Sequence, residues 1–198
     1  SLKADAMYSL ADAYFDVNID SSIYYYTSCI ELTRKANYDI LRYKALQDLS
    51  YYYVNNSDYV KAKEGYSECL EIALNKNDSL LITASHSNLG NLYIQIELND
   101  KAIYHFKEAG KYVDIKKYPG EAGKLYGRIG NFYLYQNYYN EAEQYFKKAI
   151  TLFNISKNVR GIIIATQNLG VVEKRRKNYD MAISYYNQAL NSYKSINY

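Results

Sequence analysis

Residues 87–109, "SNLGNLYIQIELNDKAIYHFKEA", decide how the chain is read. Two small residues, Gly90 and Ala102, stand in a run otherwise crowded with bulky side chains, and Asn88, Asn91 and Gln95 recur along one face at helical spacing. Steps of 40 residues reproduce the stretch: Leu49, Leu89, Ile129 and Leu169 fall in one register, and Ser50, Gly90, Gly130 and Gly170 in the next. Tyr53, Tyr93 and Tyr133 share a third, which Glu173 continues. Further along each copy come Ala62, Ala102, Ala142 and Ala182, then Tyr66, Phe106, Phe146 and Tyr186, then Cys69, Ala109, Ala149 and Ala189. An earlier copy keeps Ser22, Tyr26 and Cys29 in phase, while its first half, with Leu10, Ala11 and Tyr14, is displaced by one residue.

A fixed period of this size marks a repeat architecture. Within each copy the apolar positions recur at three and four residues, and polar turns such as "NNSD", "ELND", "YQNYYN" and "RRKNYD" part the two halves. Each copy is expected to be a helical hairpin. Asp20, Asp58, Asn99 or Asp100, Asn140 and Asp180 are expected to cap the second helices, and Pro119 suits the start of a first helix, where no N–H is required. Gly90 and Ala102 are expected to face one another and let two helices approach closely.

The apolar fraction of 48% suffices for a continuous core, and a single Pro lets helices run uninterrupted. The 27 tyrosines carry hydroxyls that need water or a partner, although abundant Tyr, Asn, Lys and Ile is also what an AT-rich coding sequence produces. A net charge of +3 spread along the chain argues against the basic stripe that a nucleic-acid backbone requires. Cys29 and Cys69 are too few for a disulfide framework or a zinc cage and read as small buried thiols. No apolar run reaches membrane-span length and no signal peptide is visible.

Catalytic chemistry finds little support. His86 and His105 lack a neighbouring nucleophile or carboxylate at triad or metal spacing. The run "DVNIDSSIYYYT" begins like a calcium loop but has Ser21 for the turn glycine and Thr27 for the bidentate acid. Gly90, Gly130 and Gly170 lie inside helices, so no phosphate-cradling loop forms. The cations Lys174, Arg175, Arg176 and Lys177 end a helix, where they complement its dipole. No enzyme activity, cofactor or metal is expected.

The pattern L-G-x-x-Y followed by A-x-x-x-F/Y-x-x-A resembles the tetratricopeptide repeat, in four in-phase copies across nearly the whole chain. The family's usual unit is shorter and ends in a Pro absent here. The longer unit resembles the branch found in kinesin light chains and some bacterial peptide-sensing regulators. The resemblance implies an all-α fold: an α-solenoid of five helical hairpins in a right-handed superhelix. As a single array, its units cover residues 1–37, 38–77, 78–117, 118–157 and 158–198. Asn197 and Tyr198 repeat Asn37 and Tyr38 four periods on, which suggests a fragment of a longer chain whose last helix exposes an apolar face.

In such arrays the first helices line a concave groove. Carried across, its ligand-facing positions are Lys44, Gln47, Asp48, Tyr51 and Asn55, then Ser87, Asn88, Asn91 and Gln95. The later units offer Lys124, Arg128, Asn131 and Tyr135, then Gln167, Asn168, Lys174 and Arg175. An amide both donates and accepts, so a ladder formed by Asn88, Asn91 and Asn131 could grip a peptide backbone whatever its side chains. Lys124, Arg128, Lys174 and Arg175 favour a peptide or protein segment with acidic groups or a free carboxylate. A solvated face rich in Asn is the competing reading, against which stands the recurrence of these amides at matching points of different copies.

The expected role is a non-enzymatic binding module, the sensing or scaffolding part of a larger bacterial signalling protein, in the cytoplasm or periplasm according to its leader. The alternative is a structural module that self-associates or docks within its own chain through tyrosines of the second helices: Tyr24, Tyr25, Tyr104, Tyr145 and Tyr185.

Overall fold

A computed structural model describes residues 2–196. Among them the chain forms ten helices and no strand: α1 (Leu2–Tyr14), α2 (Ile19–Lys35), α3 (Asp39–Asn55), α4 (Tyr59–Asn75), α5 (Ser79–Gln95), α6 (Asn99–Tyr112), α7 (Pro119–Tyr135), α8 (Tyr139–Ile155), α9 (Val159–Arg175) and α10 (Tyr179–Ile196). The fold class read from the sequence holds. Asn197 and Tyr198, on which the fragment inference rests, lie outside the described residues. The chain divides into two compact units, Ser1–Leu98 and Asn99–Tyr198.

In the first unit α1 packs on α2, α2 on α3, α3 on α4 and α4 on α5. The buried faces of these helices share one core that includes Tyr26, Cys29, Leu46, Leu49, Cys69, Ile72 and Ile82. In the second unit α7 packs on α8, α8 on α9 and α9 on α10. Phe146 lies there with Ala142, Leu169 and Val172, and Phe153 with Ala149 and Ala165.

Seven of the described helices have the same length, 17 residues. They end in a common way. Asn37, Ser57, Asn77, Glu97, Asn137, Lys157 and Lys177 all have a positive φ, between 50° and 65°, although none is glycine. The left-handed residue turns the chain so that the next N–H reaches back into the last helical turn, as Asp58 N does to Tyr53 O at 2.9 Å and Tyr138 N to Tyr133 O at 2.9 Å. The pattern is interrupted at α6, which stops at Tyr112, after which Asp114 Oδ1 accepts from the N–H groups of Lys116 and Lys117.

Most of the expected caps are replaced. Asp58 does cap α4, accepting from Lys61 N at 3.3 Å. At α2, however, Asn18 holds the cap and accepts from Ser21 N, while Asp20 lies within the first turn. At α8 the cap position belongs to Tyr138, which makes no side-chain cap bond, and Asn140 instead accepts from Arg176 Nη2 at 2.6 Å. Asn99, Asp100 and Asp180 likewise lie inside the first turns of α6 and α10. Stronger caps stand on first helices, where Asp78 accepts from Leu80 N and Leu81 N and Asn158 from Gly161 N. Pro119 opens α7 as expected.

Two of the repeated glycines, Gly130 and Gly170, face aromatic rings. A Cβ placed on Gly130 would lie 2.7 Å from the ring of Phe146, and one on Gly170 would lie 2.6 Å from the ring of Tyr186. Each glycine therefore admits an aromatic ring of the second helix. The close approach at these two points is helix to ring, the ring of the second helix lying over a position of the first that has no side chain.

Both cysteines are free and essentially unexposed. Burial pushes the Cys29 thiol up to about 11 and raises that of Cys69 as well. Since the thiolate is the reactive form, neither should react with a disulfide reagent in the native protein, and both should do so in denaturant. Stoichiometric native labelling would contradict the packing.

Candidate functional site

Helix α7 presents Lys124, Gly127, Arg128 and Asn131 at spacings of three and four, which places them on one face. Helix α9 answers with Gly161, Ile164, Ala165 and Asn168 at the same spacings. With Asn158, Arg160 and Phe153 of α8 they line a pocket of about 280 Å³. Its position follows from packing. Phe153 lies against both Gly123 of α7 and Gly161 of α9, since a Cβ on either glycine would sit 2.7 Å from its ring. The ring supplies an apolar floor, and the two helices bring their polar residues to the walls.

Three cations, Lys124, Arg128 and Arg160, line the pocket without any carboxylate among the lining side chains. Lys124 pairs with Glu121 at 2.7 Å on the exposed side of α7. Arg160 is exposed and makes no ion pair among the described residues. Between the cations Asn168 Nδ2 donates to Asn131 Oδ1 at 3.2 Å, tying α9 to α7. The bond uses one donor of Asn168 and the acceptor of Asn131. It leaves Asn131 Nδ2 to donate and Asn168 Oδ1 to accept, the pair of functions that one peptide unit requires.

Gly127 stands apart from the other glycines of α7. A Cβ there would meet nothing within 4 Å, so packing does not require it. Glycine within a helix costs about 1 kcal/mol relative to alanine. Here the missing side chain widens the pocket.

Four residues read from the sequence therefore meet in one place: Lys124, Arg128, Asn131 and Asn168. Tyr135, Gln167, Lys174 and Arg175 are exposed and lie outside the pocket lining. In the first unit Lys44, Tyr51, Asn55 and Gln95 are exposed, and Gln47, Asn88 and Asn91 half-buried. Two others are already engaged. Ser87 is buried and donates to Thr83 O at 2.7 Å. Asp48 Oδ2 accepts from Tyr8 Oη at 2.7 Å, and burial holds its carboxyl above the usual range against the pull of that bond. Asn88 and Asn91 belong to α5, in the other unit from Asn131.

Gly127, Arg160 and Ile164 escape the sequence reading. Ile164 stands one period after Lys124 and, being apolar, gives no sign in a search for polar groups, yet it is 49% exposed at the pocket. Of the second-helix tyrosines, Tyr24 and Tyr104 are exposed, but Tyr25 stacks on Tyr14 and Tyr145 on Tyr133. Tyr185 packs against the Phe146 cluster. His86 is buried, His105 lies beside Tyr104, and no group of acids, histidines or cysteines among the described residues could hold a metal. No helix among them is long and apolar enough to cross a membrane.

Residues 121–195 match the family described as the tetratricopeptide repeat. No curated protein matches the chain in sequence. Solved structures are similar throughout its length. Aspartyl phosphate phosphatase F from Bacillus subtilis is 18% identical with a TM-score of 0.86, over 99% of this chain and 52% of its own. A Rap protein complexed with Competence and Sporulation Factor is 18% identical with a TM-score of 0.83, over 96% of this chain and 54% of its own. BtubC (BKLC) from P. vanneervenii is 16% identical with a TM-score of 0.78, over 98% of this chain and 80% of its own.

Proposed function

We propose that this chain, a tetratricopeptide-repeat protein, is a non-enzymatic binding module whose second unit receives an extended peptide segment between α7 and α9. The observation that carries the reading is the pocket itself, in which three cations and a half-satisfied amide pair surround an apolar floor. The amides would bond one peptide unit, and Phe153, Ile164 and the gap at Gly127 would take an apolar side chain. Lys124, Arg128 and Arg160 would meet a carboxylate, from an acidic residue or a chain terminus. That a similar structure is a Rap protein complexed with Competence and Sporulation Factor supports a recognition role for the fold. A sensing or scaffolding role within a larger bacterial signalling protein would follow if the segment is its input or its partner.

An array of short peptides, probed with the labelled chain, tests the reading. Peptides with a carboxylate next to an apolar side chain should be retained over amidated and basic ones. Gly127→Leu should fill the pocket and weaken that retention about tenfold or more while melting no lower than the parent, since glycine is the poorer helix former. Gly110→Ala is the control, because Gly110 also has nothing within 4 Å of an added Cβ but lies outside the pocket. It should raise stability similarly and leave binding unchanged. Preference for basic peptides, or full binding by Gly127→Leu, would exclude this site.

A further inference from the structure

Among the described residues, two hairpins stack a tyrosine pair at equivalent positions. Tyr25 of α2 lies on Tyr14 of α1 with ring centres 5.7 Å apart and planes at 9°, and Tyr145 of α8 lies on Tyr133 of α7 at 5.4 Å and 9°. The α3/α4 hairpin has the first ring, Tyr53, but Gly65 where the second would stand. A pocket of about 260 Å³ opens there, bounded by Tyr53, Leu46, Ser50, Ile30, Lys61 and Gly65 among others. Leu46 corresponds to Tyr126, on which Tyr145 also stacks. The opening thus has the walls of a tyrosine site without its tyrosine.

A second substitution belongs to the same contact. Ser50 stands where the α7/α8 and α9/α10 hairpins have Gly130 and Gly170, and a Cβ built on Gly65 would collide with the Ser50 Oγ. The Ser50 hydroxyl thus occupies the point from which a side chain on α4 would start, and with glycine at position 65 this hairpin does not fill the place from within. What faces Tyr53 instead is a cation: the Lys61 ammonium lies 5.2 Å from the ring centre, tethered to Asp58 at 2.8 Å. Tyr53 keeps an aromatic surface with a long, exposed side chain beside it.

We propose that this opening in the first unit is a docking slot for a tyrosine side chain of a partner polypeptide, which stacks on Tyr53 as Tyr145 does on Tyr133. It is separate from the pocket between α7 and α9 and does not depend on that pocket's ligand. The internal copies identify the occupant: the chain itself shows, twice, which side chain fits this framework. Lys61 would move aside to the rim, where Glu64 and Glu68 also lie.

The test uses N-acetyl-tyrosinamide as probe against the intact, isotopically labelled chain, with N-acetyl-leucinamide as control. Amide-resonance shifts should cluster at residues 46, 53 and 65 with the tyrosine probe only. The double variant Ser50→Gly/Gly65→Tyr rebuilds the pattern of the α7/α8 hairpin. It should melt no lower than the parent and weaken the response about tenfold or more. Absence of clustered shifts, an equal response to the leucine probe, or undiminished binding by the double variant would overturn the proposal. So would a lower melting temperature of the double variant, since the opening would then not be a tyrosine's place. Sedimentation adds a last arm: a parent that self-associates and a double variant that does not would give the slot to a second copy of the chain and overturn the separate partner.

Discussion

Arg176→Ala should destabilise the α8–α10 region by about 3–5 kcal/mol, the cost of leaving a buried carboxylate without its partner. Glu173 is 3% exposed and stands in the register that holds Tyr53, Tyr93 and Tyr133 elsewhere. Arg176 makes the charge tolerable, donating to Glu173 Oε1 at 2.5 Å and Glu143 Oε2 at 2.6 Å, with Asn178 Nδ2 on the second oxygen of Glu173 at 2.8 Å. Without the guanidinium, Asn178 alone remains. The double variant Glu173→Gln/Arg176→Met should recover most of the loss, because no uncompensated charge is then buried. Urea unfolding measures both; a single-variant loss below about 1 kcal/mol, the range of exposed ion pairs, would mean that Glu173 reaches water. Part of the network is pH-dependent. Hydrogen bonds from Lys147 and Arg176 hold the Glu143 carboxyl below its usual range, so its contribution is present at neutral pH and lost as the pH falls through that depressed value.

Gly130→Leu should cost about 3 kcal/mol, at the upper end for overpacking. The ring that blocks a side chain there, Phe146, is wholly unexposed, so it has nowhere to turn. Gly170→Leu provides the internal comparison. Its obstructing ring, Tyr186, is 36% exposed and can swing outward, so the same substitution should cost less than half as much. Thermal or urea unfolding of the two variants decides the point. Equal losses would mean that backbone, not the ring, sets the contact.

The same residues mark what can be read in the sequence. The recurrence of Ile129, Gly130, Ala142 and Phe146 at steps of 40 residues is enough for the helices, because each position is defined by burial and burial repeats with the fold. The caps are harder: Asn18, Asp58, Asp78 and Asn158 cap, while Asp20, Asn140 and Asp180 do not, though all lie within two residues of a helix start. Such short polar side chains serve the cap or its first turn equally well in a one-dimensional pattern. At the candidate site, polarity singles out Asn131 and Asn168, but the bond joining them depends on how α7 and α9 are set by Phe153. Gly127 is unreadable for a related reason. Its significance is that nothing lies over it, and a sequence does not record empty space.

The left-handed residues Asn37, Ser57, Asn77, Glu97, Asn137, Lys157 and Lys177 bear on how such a gene can change length. From Asn37 to Lys177 they stand at equal steps, with one step missing after α6, and the turn between α1 and α2 lies outside the series. Unequal recombination between two turns one hairpin apart, such as Asn137 and Lys177, would remove or duplicate a first and a second helix together and leave every remaining face directed as before. An exchange between neighbouring turns would instead place a second helix where a first belongs and turn its buried stripe outward. Length in this chain is therefore free to evolve, but only in whole hairpins, and the turns rather than the core are the seams at which sequence can be exchanged.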